Sequence, residues 1–190
     1  FIFREDYLKF LETLVLPNYS VKFTCDGIKL EFPGPLVETT YWETPSLAII
    51  DELYTQACVA KLSKTAYELH RRQRMIGIWH KIATVQAHLN VVFSDFGTRR
   101  RFSQEWHEYI VSVLLRHVSS TQFIGTSNVW LAKKYGLRPI GTMAHRLFMA
   151  MSGIVPQDDA SIRNSHQRVL DEWWDEYGHD VSIALLDTYG

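Results

Sequence analysis

The sequence has little that would tie it to an unusual chemistry or compartment. Only two cysteines occur, Cys25 and Cys58, far apart and with no C-x-x-C spacing. That excludes a disulfide framework and a cysteine-built metal site, and predicts two buried free thiols in a reducing cytoplasm. No apolar run approaches the roughly 20 residues that span a bilayer, and no segment reads as a signal peptide. Ten glycines and six prolines in 190 residues are too few for a fibrous or low-complexity chain. Charge of one sign is also missing. The formal net charge is -1, so no global field draws the chain to nucleic acid or to a membrane, and any anion site must be local. What remains is an apolar content of 46% and a charged content of 22%, the makeup of an ordinary globular protein.

The order of elements is read from periodicity and punctuation. Asp6 to Leu16 predicts a short helix with Asp6 as its cap and Pro17 after it. Two alternating runs follow, Val21, Phe23 and Cys25, then Ile28, Leu30 and Phe32, joined by the hairpin signal Asp26-Gly27. Leu36 to Trp42 is expected as a third strand, with Thr44 and Pro45 opening a helix. From about Leu62 the pattern changes. A long helix to His88 leads into the β-branched run Leu89 to Phe93, expected as a fully buried parallel strand. Short strands and helices then alternate. Ser103 caps a helix carrying Trp106, Ile110, Val113, Leu114 and Val118. Gln122 to Ile124 is a strand, and a helix runs from Ser127 or Asn128 to Gly136. Arg138 to Ile140 is strand-like, a helix follows Thr142, Ser161 to Tyr177 is a helix closed by Gly178, and Val181 to Leu186 is a last buried strand. Such alternation predicts right-handed βαβ units on a parallel sheet.

In parallel α/β folds ligands bind beyond the carboxyl ends of the strands. Four such junctions carry chemistry-bearing residues. They are Asp95-Phe96-Gly97-Thr98-Arg99-Arg100-Arg101, Gly125-Thr126-Ser127-Asn128, Gly141-Thr142-Met143-Ala144-His145-Arg146 and Asp187-Thr188-Tyr189-Gly190. Each combines Gly and a hydroxyl residue where backbone N–H groups can receive an anion. Taken singly, each has a plainer reading: a solvated arginine face, a surface histidine, a helix cap, a strand end. Together they offer guanidiniums, an imidazole, hydroxyls and a carboxylate, a set suited to phosphate, ribose and a flat ring. His70-Arg71-Arg72-Gln73-Arg74 reads as a solvated helix face without a role, and Trp173 and Trp174 as core or interface anchors.

The stretches Asp95 to Ser103, Gly125 to Val129 and Gly141 to His145, in this order and spacing, resemble the nicotinate phosphoribosyltransferase family. Weaker similarity runs through Gly34-Pro35 and Trp42-Glu43-Thr44-Pro45. The resemblance implies an α/β fold, with residues 1–60 part of an α+β N-terminal domain and residues 61–190 the first βα units of an irregular, TIM-like α/β barrel. It implies a cytoplasmic homodimer of NAD biosynthesis, acting on nicotinate, phosphoribosyl pyrophosphate and ATP with Mg²⁺. By the same resemblance Phe96 stacks on the pyridine ring, Arg99 binds near the base and the phosphoribosyl group, and His145 is phosphorylated by ATP. Asp187 lies at the ribose end. Ser127 stands where nicotinamide-using relatives carry Asp, whose charge would repel nicotinate. Gly97, Thr98, Arg100, Gly125, Thr126, Asn128 and Thr142 complete the expected substrate-binding set; no residue is expected to ligate a metal.

The family's base-sandwiching tyrosine, from a segment before position 1, and an Asp-Ser-Gly-Asp segment after Gly190 have no counterpart in these residues. The sequence is therefore expected to be a fragment, inactive alone. Two rivals share the fold, a nicotinamide-using and a quinolinate-using transferase. Ser127 argues against the first and the setting of His145 against the second. A nucleic-acid-binding module built on Arg99 to Arg101 is disfavoured by the near-zero net charge.

Overall fold

In a computed structural model the chain is described at residues 3–179 and 183–189. Its packing divides it into two units, Thr13–Ile140 and Phe1–Glu12 with Gly141–Gly190.

The first unit opens with the expected hairpin, β1 (Ser20–Thr24) and β2 (Gly27–Glu31), antiparallel with Val21 opposite Leu30. Val21, Phe23 and Ile28 are nevertheless exposed, and so is Cys25 at the turn. Cys58 is exposed as well. The expectation of buried thiols is therefore corrected. Alternation identified the strands, but their alternate faces are not both packed.

The expected strand at 36–42 is helical instead. Residues Leu36–Thr39 form α2 and Thr40–Trp42 a 3₁₀ turn that runs straight into α3 (Glu43–Val59). Pro35 starts it, its carbonyl accepting the N–H groups of Glu38 and Thr39 at 3.0 and 2.9 Å. Tertiary contacts outweigh the β propensity of Thr, Tyr and Trp here. The Trp42 indole donates to the Pro17 carbonyl at 2.8 Å and its ring lies 5.6 Å from Phe32 and 5.2 Å from Tyr19. Thr44 is consequently no cap. Pro45 sits in the first turn of α3, where a missing N–H costs nothing.

Ser63 caps α4 (Lys64–Ala87), accepting from the Ala66 N–H. The strand expected at Leu89 begins only at Phe93, and β3 is Phe93–Asp95. Residues 88–91 turn, with the Val91 N–H donating to the His88 carbonyl, and Leu89 is 81% exposed. The buried Gln122 amide explains the turn. It donates to the carbonyls of Val85 at 2.9 Å and His88 at 3.0 Å, satisfying the end of α4.

After a 3₁₀ turn at Thr98–Arg100 comes α5 (Gln104–His117), capped by Ser103 as expected. It leads to β4 (Phe123–Thr126), which pairs parallel with β3, Phe93 opposite Phe123. Asn128 caps α6 (Val129–Tyr135), and Gly136 closes it in the left-handed region at φ 64°. The chain then returns as a third parallel contact, Pro139 beside Thr126. Ile82, Val111, Val113, Val118, Phe123 and Leu131 form the core beneath this small sheet.

The second unit packs α7 (His145–Ile154) on α8 (Asp159–Tyr177) around Met143, Phe148 and Val169. Asp158 caps α8, whose first residue, Asp159, lies two positions ahead of the expected Ser161. α1 (Glu5–Thr13) belongs to the same unit, with Phe3 against Tyr177 and Arg4 bonded to Glu176. The last expected strand falls partly outside the described residues, at Val181 and Ser182. Its described part, 183–186, is not a strand. A ladder needs repeated pairing, and among the described residues one backbone bond, Met143 N–H to the Ile183 carbonyl, holds the segment while Leu186 is exposed. The fold is thus mixed α/β.

Candidate functional site

Most of the expected site residues in the first unit lie in two loops, one after β3 and one after β4. The loops meet because the strands are parallel neighbours, so both carboxyl ends open on the same side. Asp95, at the last position of β3, joins them. Its Oδ2 accepts from Thr126 Oγ1 at 2.6 Å and from His107 Nε2 at 2.7 Å, and its Oδ1 accepts from the Gly97 N–H at 3.0 Å. Its backbone carbonyl accepts from the Ser127 N–H at 2.8 Å. The same brace continues through Asn128. The Asn128 N–H donates to Thr126 Oγ1 at 3.0 Å, and its side-chain amide donates to Thr98 Oγ1 at 3.1 Å while its oxygen caps α6.

The brace is buried. Thr126 has no solvent exposure and the His107 side chain only 4%. Burial pushes the Asp95 carboxyl upward. The hydrogen bonds from His107, Thr126 and Gly97 outweigh it and hold the carboxyl below its ordinary value. His107 Nδ1 is buried with no hydrogen-bond partner, so the imidazole is tied to the protein through Nε2 alone.

Two glycines are dictated by this packing. A Cβ on Gly97 would lie 2.9 Å from Asp95 Oδ1 and 3.1 Å from His107 Nε2. A Cβ on Gly125, at φ +155°, would lie 2.2 Å from the Arg138 carbonyl oxygen. A side chain at Gly97 would displace the Asp95–His107 pair, and one at Gly125 would displace the backbone at Arg138.

With the backbone so fixed, Phe96 projects half-exposed and offers a flat apolar face. The Arg99 guanidinium is exposed and ion-paired with Glu43 of α3. A solvent-exposed pair of this kind is worth about 0–1 kcal/mol, so an anionic ligand can compete for the arginine. The Ser127 hydroxyl makes no hydrogen bond to another described residue, leaving it available. Arg100 lines a cavity of about 400 Å³ together with Arg101, Trp106 and Arg74, and Asp95, Gly97 and His107 of the brace form part of its wall. Arg74 thus departs from the expectation of a purely solvated face. Arg101 is held by Glu52 at 3.5 Å, and the same carboxylate receives the Gln104 N–H at the start of α5.

The expected residues of the second unit form a smaller cluster. His145 is the first residue of α7. Its Nδ1 lies 3.0 Å from Thr188 Oγ1 and its Nε2 3.8 Å from Asp187 Oδ1. The first distance is a hydrogen bond; the second is a charge contact, too long to be one. Asp187 is mostly exposed, and Thr142 is occupied locally, donating to the Met143 carbonyl. Gly190 lies outside the described residues. Among those described, no group of three or more His, Cys, Asp or Glu could hold a metal ion, and no helix is long and apolar enough to cross a membrane.

Sequence reasoning named the loops but missed Asp95, His107 and Thr188 as working members of the set. Asp95 was visible as the strand-end acid of its motif. His107 sits at a polar break in an otherwise apolar helical pattern, and its partner is 12 positions away.

Comparison with known proteins bears on the family and the fold. The chain is similar to the solved nicotinate phosphoribosyltransferase of Porphyromonas gingivalis, with 28% identity and a TM-score of 0.77 over 94% of this chain and 43% of that one. It shares the fold of the nicotinate phosphoribosyltransferase from Vibrio cholerae, with a TM-score of 0.78 at 23% identity over 95% of this chain and 42% of that one. The chain therefore spans well under half the length of these structures. The model of the nicotinate phosphoribosyltransferase (NAPRTase) family matches residues 91–190, the segment that holds β3, both braced loops, His145 and Asp187. The chain belongs to the nicotinate phosphoribosyltransferase family.

Proposed function

We propose that the protein to which these residues belong joins nicotinate to phosphoribosyl pyrophosphate, forming nicotinate mononucleotide and pyrophosphate, and couples the step to ATP through His145. Residues 1–60 then contribute to an α+β N-terminal domain and residues 61–190 to the first βα units of an irregular barrel. The observation that carries the reading is the braced pair of loops. It presents an aromatic face, a displaceable guanidinium and an available hydroxyl, and it lies within the segment shared with the family.

The chemistry asks little of a general base. The pyridine nitrogen has a free lone pair. It attacks C1′ of the ribose as the bond from C1′ to the pyrophosphate oxygen breaks, and the electron pair leaves on pyrophosphate. Positive charge builds on the sugar while negative charge grows on the leaving group, so well-placed cations and dipoles provide the stabilisation. Phe96 gives the ring a face to stack on. Arg99, released from Glu43, can take a carboxylate or phosphate oxygen pair. Ser127, uncharged, accepts nicotinate's carboxylate where an aspartate would repel it. Asp187 is suited to ribose hydroxyls. Mg²⁺ binds chiefly to water and substrate phosphates, with one or two carboxylates. The described residues fit that mode and not a protein-built cage, with Asp187 as the available carboxylate.

His145 is suited to accept a phosphoryl group. Hydrogen bonding of Nδ1 to Thr188 fixes the ring and directs Nε2 outward as the nucleophilic nitrogen. The γ-phosphoryl bond to ADP breaks as the N–P bond forms.

The test uses the full-length parent protein with γ-labelled ATP and Mg²⁺, in parallel with His145→Ala. Acid-labile label on the parent and none on the variant is the expected result. Absence of label while nicotinate mononucleotide still forms would remove the ATP step and keep the transferase. Absence of both would overturn the reading.

A further inference from the structure

The loops that the proposed reaction uses are held by two largely buried titratable groups that lie behind Phe96, at the wall of the cavity that Arg100 and Arg101 also line. Asp95 and His107 are both largely buried, with side-chain exposures of 12% and 4%. Burying a carboxylate against an imidazole is a poor way to stabilise a fold, because desolvation consumes most of the attraction; an apolar pair of similar volume does as well or better. The main core of this unit, around Val111, Phe123 and Leu131, is apolar. The polar pair occurs only beside the loop that carries Phe96. That placement is where orientation matters more than burial.

The bonds fix Phe96 from both sides. The preceding residue, Asp95, is tied through its carbonyl to Ser127 and through its carboxylate to Thr126 and His107. The following residue, Gly97, is tied through its N–H to the same carboxylate, and there is no room beside it for a side chain. One carboxylate therefore sets the Phe96 backbone and its spacing to Ser127 at once. His107 anchors that carboxylate from α5, outside both loops.

We propose that Asp95 and His107 are positioning residues for the nicotinate ring: the pair holds the stacking face of Phe96 at a fixed spacing from Ser127 and so sets the affinity for the pyridine substrate. The inference rests on the proposed reaction. It extends the site to two residues that do not touch substrate.

The experiment uses the full-length parent protein and three variants. His107→Leu removes the anchor. His107→Gln restores it, because the glutamine side-chain amide can donate from nearly the position of imidazole Nε2. Thr126→Val removes the neighbouring donor at constant shape and serves if His107→Leu does not fold. Steady-state kinetics are measured separately against nicotinate and phosphoribosyl pyrophosphate, with folding checked by circular dichroism. The expected result is a tenfold or larger rise in KM for nicotinate in His107→Leu and Thr126→Val. KM for phosphoribosyl pyrophosphate stays within twofold, and His107→Gln recovers most of the loss. Unchanged nicotinate KM in folded His107→Leu or Thr126→Val overturns the proposal, as does a parallel loss against both substrates, which is the mark of a merely structural role. A parent protein that forms no nicotinate mononucleotide at all points instead to failure of the reaction assignment.

Discussion

Replacing Gly125 by alanine tests the geometry of the β4 loop with the largest expected effect. The new Cβ would stand 2.2 Å from the Arg138 carbonyl oxygen and 2.8 Å from Ile140 Cγ1. Cβ atoms essentially never approach heavy atoms closer than 3.0 Å, so the 138–140 segment must retreat by 3.0 − 2.2, or 0.8 Å. That segment is held to β4 by two backbone bonds, Thr126 N–H to the Arg138 carbonyl at 3.3 Å and Ile140 N–H to the Thr126 carbonyl at 3.0 Å. Losing both costs about 1 kcal/mol each. Strain at φ +155° adds about 1–2 kcal/mol, and overpacking about 1–3 kcal/mol. The total is roughly 4–7 kcal/mol, a large share of a typical stability of about 5–15 kcal/mol. For a protein of this size it corresponds to a fall in Tm on the order of 10 °C or more, and for a larger one to a smaller fall. Gly27→Ala is the control. It has a similar backbone, φ +138°, but nothing within 4 Å of the added carbon, so only the strain remains. Thermal melts of Gly125→Ala, Gly27→Ala and the parent would decide the matter. A Gly125→Ala melt no lower than that of Gly27→Ala would refute the packing argument.

The other predictions concern the brace and the second core. Asn128→Ala removes the α6 cap and the link to Thr98 and should destabilise by about 1 kcal/mol; Asn128→Asp keeps the cap, loses the donor to Thr98, and should retain most of the stability. Both are readable by denaturant titration. The folded carboxyl of Asp95 is held below its ordinary value of 3.8, so its bonds add stability above that pH and the contribution is lost as pH falls through the depressed value. The stability gap between the parent and Asp95→Asn should therefore be widest near neutral pH and shrink below about pH 3.8 in acid-denaturation curves; a gap constant with pH would contradict the ionic role. Phe148, 1% exposed among Met143 and Val169, should cost about 3–5 kcal/mol when cut to alanine.

How much was legible in the sequence depended on whether an element's cause was local. Caps and turns were readable because their chemistry lies within four residues: Ser103, Asn128, Gly136, Gly178 and Asp26-Gly27 all act where expected. Segments governed by distant partners were misread. The 36–42 stretch has β-branched and aromatic residues, but Trp42 is drawn to Pro17, Phe32 and Tyr19 and the backbone coils to reach them. Leu89 to Val92 read as buried strand, yet Gln122, more than 30 positions on, holds the end of α4 and turns the chain. Periodicity found α5 but not its orientation. The buried face passes through His107 and Val111, because the Asp95 carboxylate, 12 positions away, takes the imidazole. The motif loops were visible from their residue types. The brace that joins them was not, since parallel pairing of β3 with β4 creates it.

The most direct test of the central claim is substrate choice by the full-length parent protein. Purified enzyme, phosphoribosyl pyrophosphate, Mg²⁺ and ATP would be supplied with nicotinate, nicotinamide or quinolinate, singly and in competition, with mononucleotide and pyrophosphate both measured. The account predicts equal amounts of nicotinate mononucleotide and pyrophosphate from nicotinate, at a rate at least tenfold above either alternative. Preference for nicotinamide would contradict the role given to Ser127, and product from none of the three would contradict the assignment of the reaction itself.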